Sequence, residues 1–197
     1  GGGAGPPAAA GVRRPPVVAT ATRARSAPVS IPGAHSDIMG ARGAGWILLF
    51  AENAQEAYDN TIMAVRIAEH PAVMLPVMTC LDGFITTHSI DRAQIMDDET
   101  VKAFVGDYVP QYALLDTDNP VSHGNFAGLG GPYFEFKRSQ RNAIDRSAAV
   151  ITAVADEWTK ISGRPFGHVE GWGMEDAELA IVAIGSTAGN ARAVARE

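Results

Sequence analysis

The chain has 197 residues, 46% hydrophobic and 19% charged, with a formal net charge of −6 at neutral pH. That composition supports a globular core, and the acidic balance excludes a surface built for nucleic acid or anionic lipid, both of which need clustered positive charge. The single cysteine, Cys80, cannot form an internal disulfide or hold an iron–sulfur cluster by thiolates alone. No apolar run approaches the roughly 20 residues of a membrane helix, and a reducing cytoplasm is the expected compartment.

Residues 1–14 are Gly/Ala/Pro-rich with two arginines and no apolar signal core, which predicts a disordered tail. Val17–Ala21 (VVATA) is a candidate strand, with Arg23 and Arg25 beyond its end. Residues 26–44 read as a loop with one helical turn near Asp37–Arg42. Trp46–Phe50 (WILLF) is a strand covered on both faces. Asn53 and Glu56 form a capping-box-like start to a helix that Pro71 stops near His70. Ala57, Thr61, Ala64, Val65 and Ala68 define its expected buried face. Pro76 opens the next strand, which runs to Leu81.

Asp97 or Asp98 caps a short helix ending at Phe104. Residues 106–132 are rich in turn residues without periodicity, and a loop that long is expected to be functional or to meet another subunit. The longest helix spans Arg138–Ile161, with an apolar stripe of Ala143, Ile144, Ser147, Ala148, Ile151, Val154, Trp158 and Ile161, and Gly163 as its C-cap. After a linker, Glu178–Ile184 reads as a strand that leads through Gly185–Gly189 into a further helix. Strands alternating with helices predict an α/β fold on a parallel sheet.

In such sheets ligands bind beyond the carboxyl ends of the strands. Asp82-Gly83-Phe84 with His88 sits at one such end and suits acid–base work or an ordinary turn. Arg23 suits an oxyanion clamp or a solvated surface position. His35 and Asp37 are a dyad or loop hydrogen-bonding groups, too few to define a metal site. Gly185–Gly189 is similar to a phosphate-cradling turn, yet lacks a P-loop lysine and the GxGxxG spacing, so it reads as a tight turn. Cys80 reads as a small buried hydrophobe.

Four runs, His35–Trp46 (HSDIMGARGAGW), Ala51–Asn60 (AENAQEAYDN), Leu81–His88 (LDGFITTH) and Glu175–Gly189 (EDAELAIVAIGSTAG), together with their spacing, resemble the alpha subunit of pyruvate:ferredoxin (flavodoxin) oxidoreductases over about residues 15–197. The resemblance implies the C-terminal part of a thiamine-diphosphate pyrimidine-binding domain over 15–174. It also implies the first βα unit of a transketolase C-terminal-like core domain II over 175–197. The implied activity is oxidative decarboxylation of pyruvate to acetyl-CoA, or the reverse synthesis, with ferredoxin or flavodoxin as electron carrier. Thiamine diphosphate with Mg would be held mostly by other segments, 4Fe–4S clusters by other subunits or domains, and coenzyme A would be a substrate. A beta subunit and further subunits are the implied partners.

Aligned through Ser26-Ala27-Pro28, the family's carboxylate-binding arginine falls on Arg23 rather than Arg25. Asp82, Gly83, Phe84 and His88 become a loop near the active site or a subunit interface. No catalytic residue is assigned, because the family's cofactor-activating glutamate and substrate-contacting threonine correspond to nothing in the chain. Ala34 replaces a common acidic residue before His35, and Gly43 a common Asp before the Gly-Trp pair. Two alternatives stand beside pyruvate oxidation: a relative acting on oxalate or a branched-chain oxoacid, and a noncatalytic interaction module. The isolated chain is expected to be poorly stable.

Overall fold

Three short apolar runs pair into one parallel sheet. The structure is a computed structural model that describes residues 5–24, 28–113, 115–122, 124 and 126–196. Strands β1 (Val17–Thr22), β2 (Ile47–Ala51) and β3 (Val77–Asp82) lie in the order β1-β3-β2. The register sets Thr22 beside Asp82 and Ala51 beside Leu81, so all three carboxyl ends meet on one edge. The α/β class and its parallel sheet are as expected.

Period-two alternation sends successive side chains of β2 and β3 to opposite faces, both of them covered, so β2 is apolar throughout and β3 is apolar except at Thr79 and Asp82. Ile47, Leu49 and Val77 join one core, with Ile62, Met63 and Ile67 of α3 (Ala54–Glu69) and Val150, Val154 and Trp158 of α6 (Tyr133–Ser162). Leu48, Phe50, Met78 and Cys80 join a smaller core on the opposite face, with Ile38 and Ala41 of α2 (Ser36–Gly43) and Trp46. The helix caps formed where the residue types place them. Asn53 Oδ1 accepts the Glu56 amide at 2.9 Å, Asp97 Oδ1 accepts the Thr100 amide at 2.8 Å at the start of α5 (Asp98–Val105), and Gly163 ends α6 in the left-handed conformation.

Four expectations are corrected. Residues 5–11 of the predicted tail form helix α1 (Gly5–Gly11), and Ala10 is fully buried on the smaller core. Prolines are tolerated in a first helical turn, and the alanines that follow are the strongest helix formers. Thr61 of α3 is exposed and bonds back to the Ala57 carbonyl at 2.7 Å, whereas Ile62, Met63 and Ile67 are buried along with the polar Asp59 and Asn60. Helix α6 begins at Tyr133, and Ala148 of its expected stripe is exposed. Residues 178–184 form no strand: Leu179, Ile181 and Val182 are 94%, 89% and 89% exposed. A strand exists only against a ladder partner, and among the described residues none pairs with this segment.

Two ion-paired staples fasten the helical layer. Asp59 is fully buried and accepts from Trp158 Nε1 (2.9 Å), Gln55 Nε2 (3.1 Å) and Arg164 Nε and Nη2 (2.8 and 2.7 Å). The hydrogen bond to Asp59 raises the guanidinium pKa of Arg164. Arg66 forms a bidentate pair with Glu157, 2.7 Å on each arm, and lies 4.7 Å over the Phe104 ring.

Candidate functional site at the strand ends

Asp82 is the last residue of the central strand, and sheet geometry delivers its side chain to the edge where all three strands finish. It is 4% exposed. Oδ1 accepts from His35 Nε2 at 2.7 Å and from Thr22 Oγ1 at 3.3 Å. Oδ2 accepts from the Ser186 amide at 2.8 Å and the Ser186 hydroxyl at 2.6 Å. Burial alone would push the carboxyl pKa up, but the Ser186 hydroxyl, His35 and the Ser186 amide together bring it below its ordinary value. Because an ionised carboxylate only accepts, His35 carries its proton on Nε2. The His35 ring lies edge-on to Phe50, 5.1 Å between centroids.

Ser186 is the first residue of α7 (Ser186–Val194), so the protein's own carboxylate occupies that helix N-terminus. Gly185 makes the approach possible. Its φ is +67°, and a Cβ there would stand 2.6 Å from Asp82 Oδ2. The tight turn expected over Gly185–Gly189 is instead the start of α7, and Gly185 with Ser186 forms the seat for Asp82. A second tie holds the same helix: Arg192 Nη2 reaches Glu52, just past β2, at 2.6 Å, and Glu170 at 3.3 Å.

Gly83 continues the tight packing. Its amide donates to Thr22 O at 2.9 Å, and a Cβ would meet that oxygen at 2.7 Å. Phe84 follows at φ +68°, a conformation a bulky residue seldom adopts and which tends to occur at functional sites. Its exposed ring stacks on His88 at 5.3 Å. His88 Nδ1 pairs with Thr87 Oγ1 at 2.8 Å within a single helical turn, α4 (Ile85–His88), and does not meet Asp82. The structure therefore brings His35, not His88, to the strand-end aspartate. Among the described residues no hydrogen bond is recorded between His35 and Asp37, whose Oδ2 accepts the Arg23 amide at 3.4 Å.

Arg23 bridges Gly33 just past β1 on the same rim. It is exposed, and among the described residues no carboxylate is recorded against its guanidinium. Arg25 lies outside the described residues. Cys80 is 1% exposed, and burial, then Asp37 and Asp82, pushes its thiol up to about 12, as a small buried hydrophobe requires.

The convergence of Asp82 with Thr22, His35 and Ser186 was missed in the sequence, because the partners stand 60, 47 and 104 residues away. The only local signals were the polar and glycine residues gathered at strand ends.

A parallel α/β sheet with a polar rim at its carboxyl edge defines a domain of the open-sheet class, in which ligands bind beyond the strand ends. The family model for the thiamine-diphosphate-binding part of pyruvate flavodoxin/ferredoxin oxidoreductases matches residues 7–156, and the chain belongs to that family. It is similar to the pyruvate synthase subunit PorA of Thermotoga maritima, 49% identical over 179 residues, which are 91% of this chain and 45% of the relative. PorA of Methanocaldococcus jannaschii is 39% identical over 96% of this chain and 49% of its own length. The alpha subunit of NADH-dependent phenylglyoxylate dehydrogenase from Aromatoleum evansii is 37% identical over 92% of this chain and 45% of its own. The chain spans about half the length of the curated relatives it matches. The match begins at residue 7, within α1, so it reaches further toward the N-terminus than expected.

The strand-end carboxylate is not laid out as a metal ligand. Each Asp82 oxygen already accepts two donors, and among the described residues no three His, Cys, Asp or Glu side chains are grouped to hold a metal ion. No helix of the described residues is long and apolar enough to cross a membrane.

Proposed function

We propose that this chain belongs to the alpha subunit of a 2-oxoacid:ferredoxin oxidoreductase that interconverts pyruvate and acetyl-CoA with ferredoxin or flavodoxin as electron carrier. The observation that carries the reading is 49% identity with a pyruvate synthase subunit over 91% of the chain. The enzyme uses thiamine diphosphate with Mg, whose metal–diphosphate half is held outside the described residues. Beta and further subunits carry the 4Fe–4S clusters, and the complex is cytoplasmic. Residues 15–174 belong to the thiamine domain and 175–197 open the following one, whose first helix, α7, docks on the strand ends through Ser186 and Arg192.

Arg23 binds the substrate carboxylate. Its place on the rim and the lack of a recorded carboxylate partner among the described residues support this role, which is one of positioning. Asp82, with His35 and Ser186, keeps the rim in shape, and the Gly83–His88 turn forms its outer wall or a subunit contact.

The test is coenzyme-A-dependent ferredoxin reduction by the full-length complex. Pyruvate should be the best substrate, ahead of oxalate, phenylglyoxylate and branched-chain oxoacids. A complex that turns over another oxoacid but not pyruvate sinks the pyruvate reading. Arg23→Gln should raise KM for pyruvate by roughly tenfold to a hundredfold, the worth of a charged hydrogen bond, while thiamine diphosphate affinity stays unchanged. An unaltered KM removes Arg23 from the site.

A further inference from the structure

The opposite end of the sheet holds a second concave site. An open cavity of about 440 Å³ lies where the chain enters β1 and β3, lined by Arg13, Arg14, Arg146, Ser139, Tyr108 and Tyr112 among others. That volume suits a small ligand. Among the described residues no Asp or Glu lines it. In a chain of net charge −6, three arginines around one hollow are a local inversion of charge.

The three arginines are not equivalent. Arg13 is held in place, with φ +54° and its Nε on Met74 O (3.0 Å), Nη2 on Val73 O (2.6 Å) and Nη1 on Ser139 O and Oγ (3.0 and 2.9 Å). Every acceptor there is neutral, so its charge is fixed but not cancelled. Burial, then the Arg146 cation, lower its pKa, partly offset by Tyr112. Among the described residues the one hydrogen bond recorded for the Arg146 guanidinium is from Nε to Ala72 O at 3.0 Å, which leaves its other donors for a ligand. No hydrogen bond is recorded for the Arg14 guanidinium among the described residues. Two guanidinium groups with donors to spare, beside a third that is fixed and uncompensated, match a phosphate group. Tyr108 and Tyr112, 46% and 65% exposed, line the same cavity, and tyrosine rings suit packing against a flat group on the ligand.

We propose that this cavity binds a phosphorylated ligand of mononucleotide size. The site is separate from the strand-end rim and does not depend on the oxidoreductase reading. The probe is AMP, titrated calorimetrically into the full-length complex, with inorganic phosphate as competitor and adenosine as control. AMP should bind, phosphate should displace it, rising salt should weaken it, and adenosine should bind at least about tenfold more weakly. The double variant Arg14→Gln/Arg146→Gln removes only exposed side chains and should keep its circular dichroism spectrum while losing AMP affinity about tenfold or more. Arg13 is left intact because it ties four neutral acceptors. AMP binding that persists undiminished in the folded double variant places the nucleotide elsewhere and overturns the proposal. So does a wild-type complex that binds neither AMP nor phosphate, including the case where the double variant instead sheds a partner subunit.

Discussion

Asp59 behind the sheet and Asp82 at its carboxyl edge are both sealed carboxylates, 0% and 4% exposed, and each accepts four hydrogen bonds. They differ in what neutralises them. Asp59 faces a guanidinium and an indole that belong to α6 and the turn after it, so a full charge pair binds two helices together. Asp82 faces a histidine, two hydroxyls and a helix amide drawn from β1, the start of α2 and the start of α7. A charge pair behind the sheet ties two helices together, whereas hydroxyl, amide and imidazole donors hold the carboxylate at the edge. The edge therefore keeps an ionised carboxylate on the rim where Arg23 stands, whereas Asp59 is matched by a guanidinium.

The difference predicts a graded series of losses. Asp59→Ala leaves the partly buried Arg164 guanidinium and the buried Trp158 N–H without their acceptor, and should cost about 3–5 kcal/mol, read as a drop in the urea midpoint at unchanged slope. A cost below 1 kcal/mol would show that the clamp relaxes into solvent.

Asp82→Asn should cost less, about 1–3 kcal/mol, and should do so in a pH-dependent way. The folded-state pKa lies below the ordinary 3.8, so the carboxylate stabilises the fold fully above that ordinary value. The gain fades as pH falls through the lower folded pKa. The stability gap between wild type and Asp82→Asn should thus be level near neutrality and close below about pH 4. Urea titrations across pH 2–7 measure it, and a gap that widens in acid contradicts the arrangement. Amide exchange at Ser186 should quicken in the same variant.

The smallest effect belongs to Glu157→Gln. Its pair with Arg66 is half exposed, 31% and 47% on the two side chains, and should contribute no more than about 1 kcal/mol. A loss as large as that of Asp59→Ala would erase the distinction between a solvated pair and a buried one.

The helices and strands that depend on local rules were readable. Asn53, Asp97 and Gly163 cap their helices because each side chain or backbone conformation acts within three residues of itself. Trp46–Phe50 announced a strand because both faces are covered. Residues 178–184 carry an equally apolar run yet form no strand, since apolar character sets what a strand would bury and not whether a ladder partner exists. Thr61 misled for a related reason: helical spacing names a face, but the sheet and α6 decide how wide the buried face is.

The amino-acid order by itself determined the α/β class, the strand–helix–strand unit from residue 47 to 82, the buried inert thiol and, through resemblance, the family. Each follows from periodicity, capping chemistry or contiguous runs, all of which act over a few residues. Tertiary structure alone decided that His35 and not His88 meets Asp82, that Ser186 closes the strand end, and that Arg13, Arg14 and Arg146 share one cavity. Those pairings join positions 47 to 133 residues apart, and chain order carries no record of which distant hydrogen-bonding groups a parallel register will bring to the same edge.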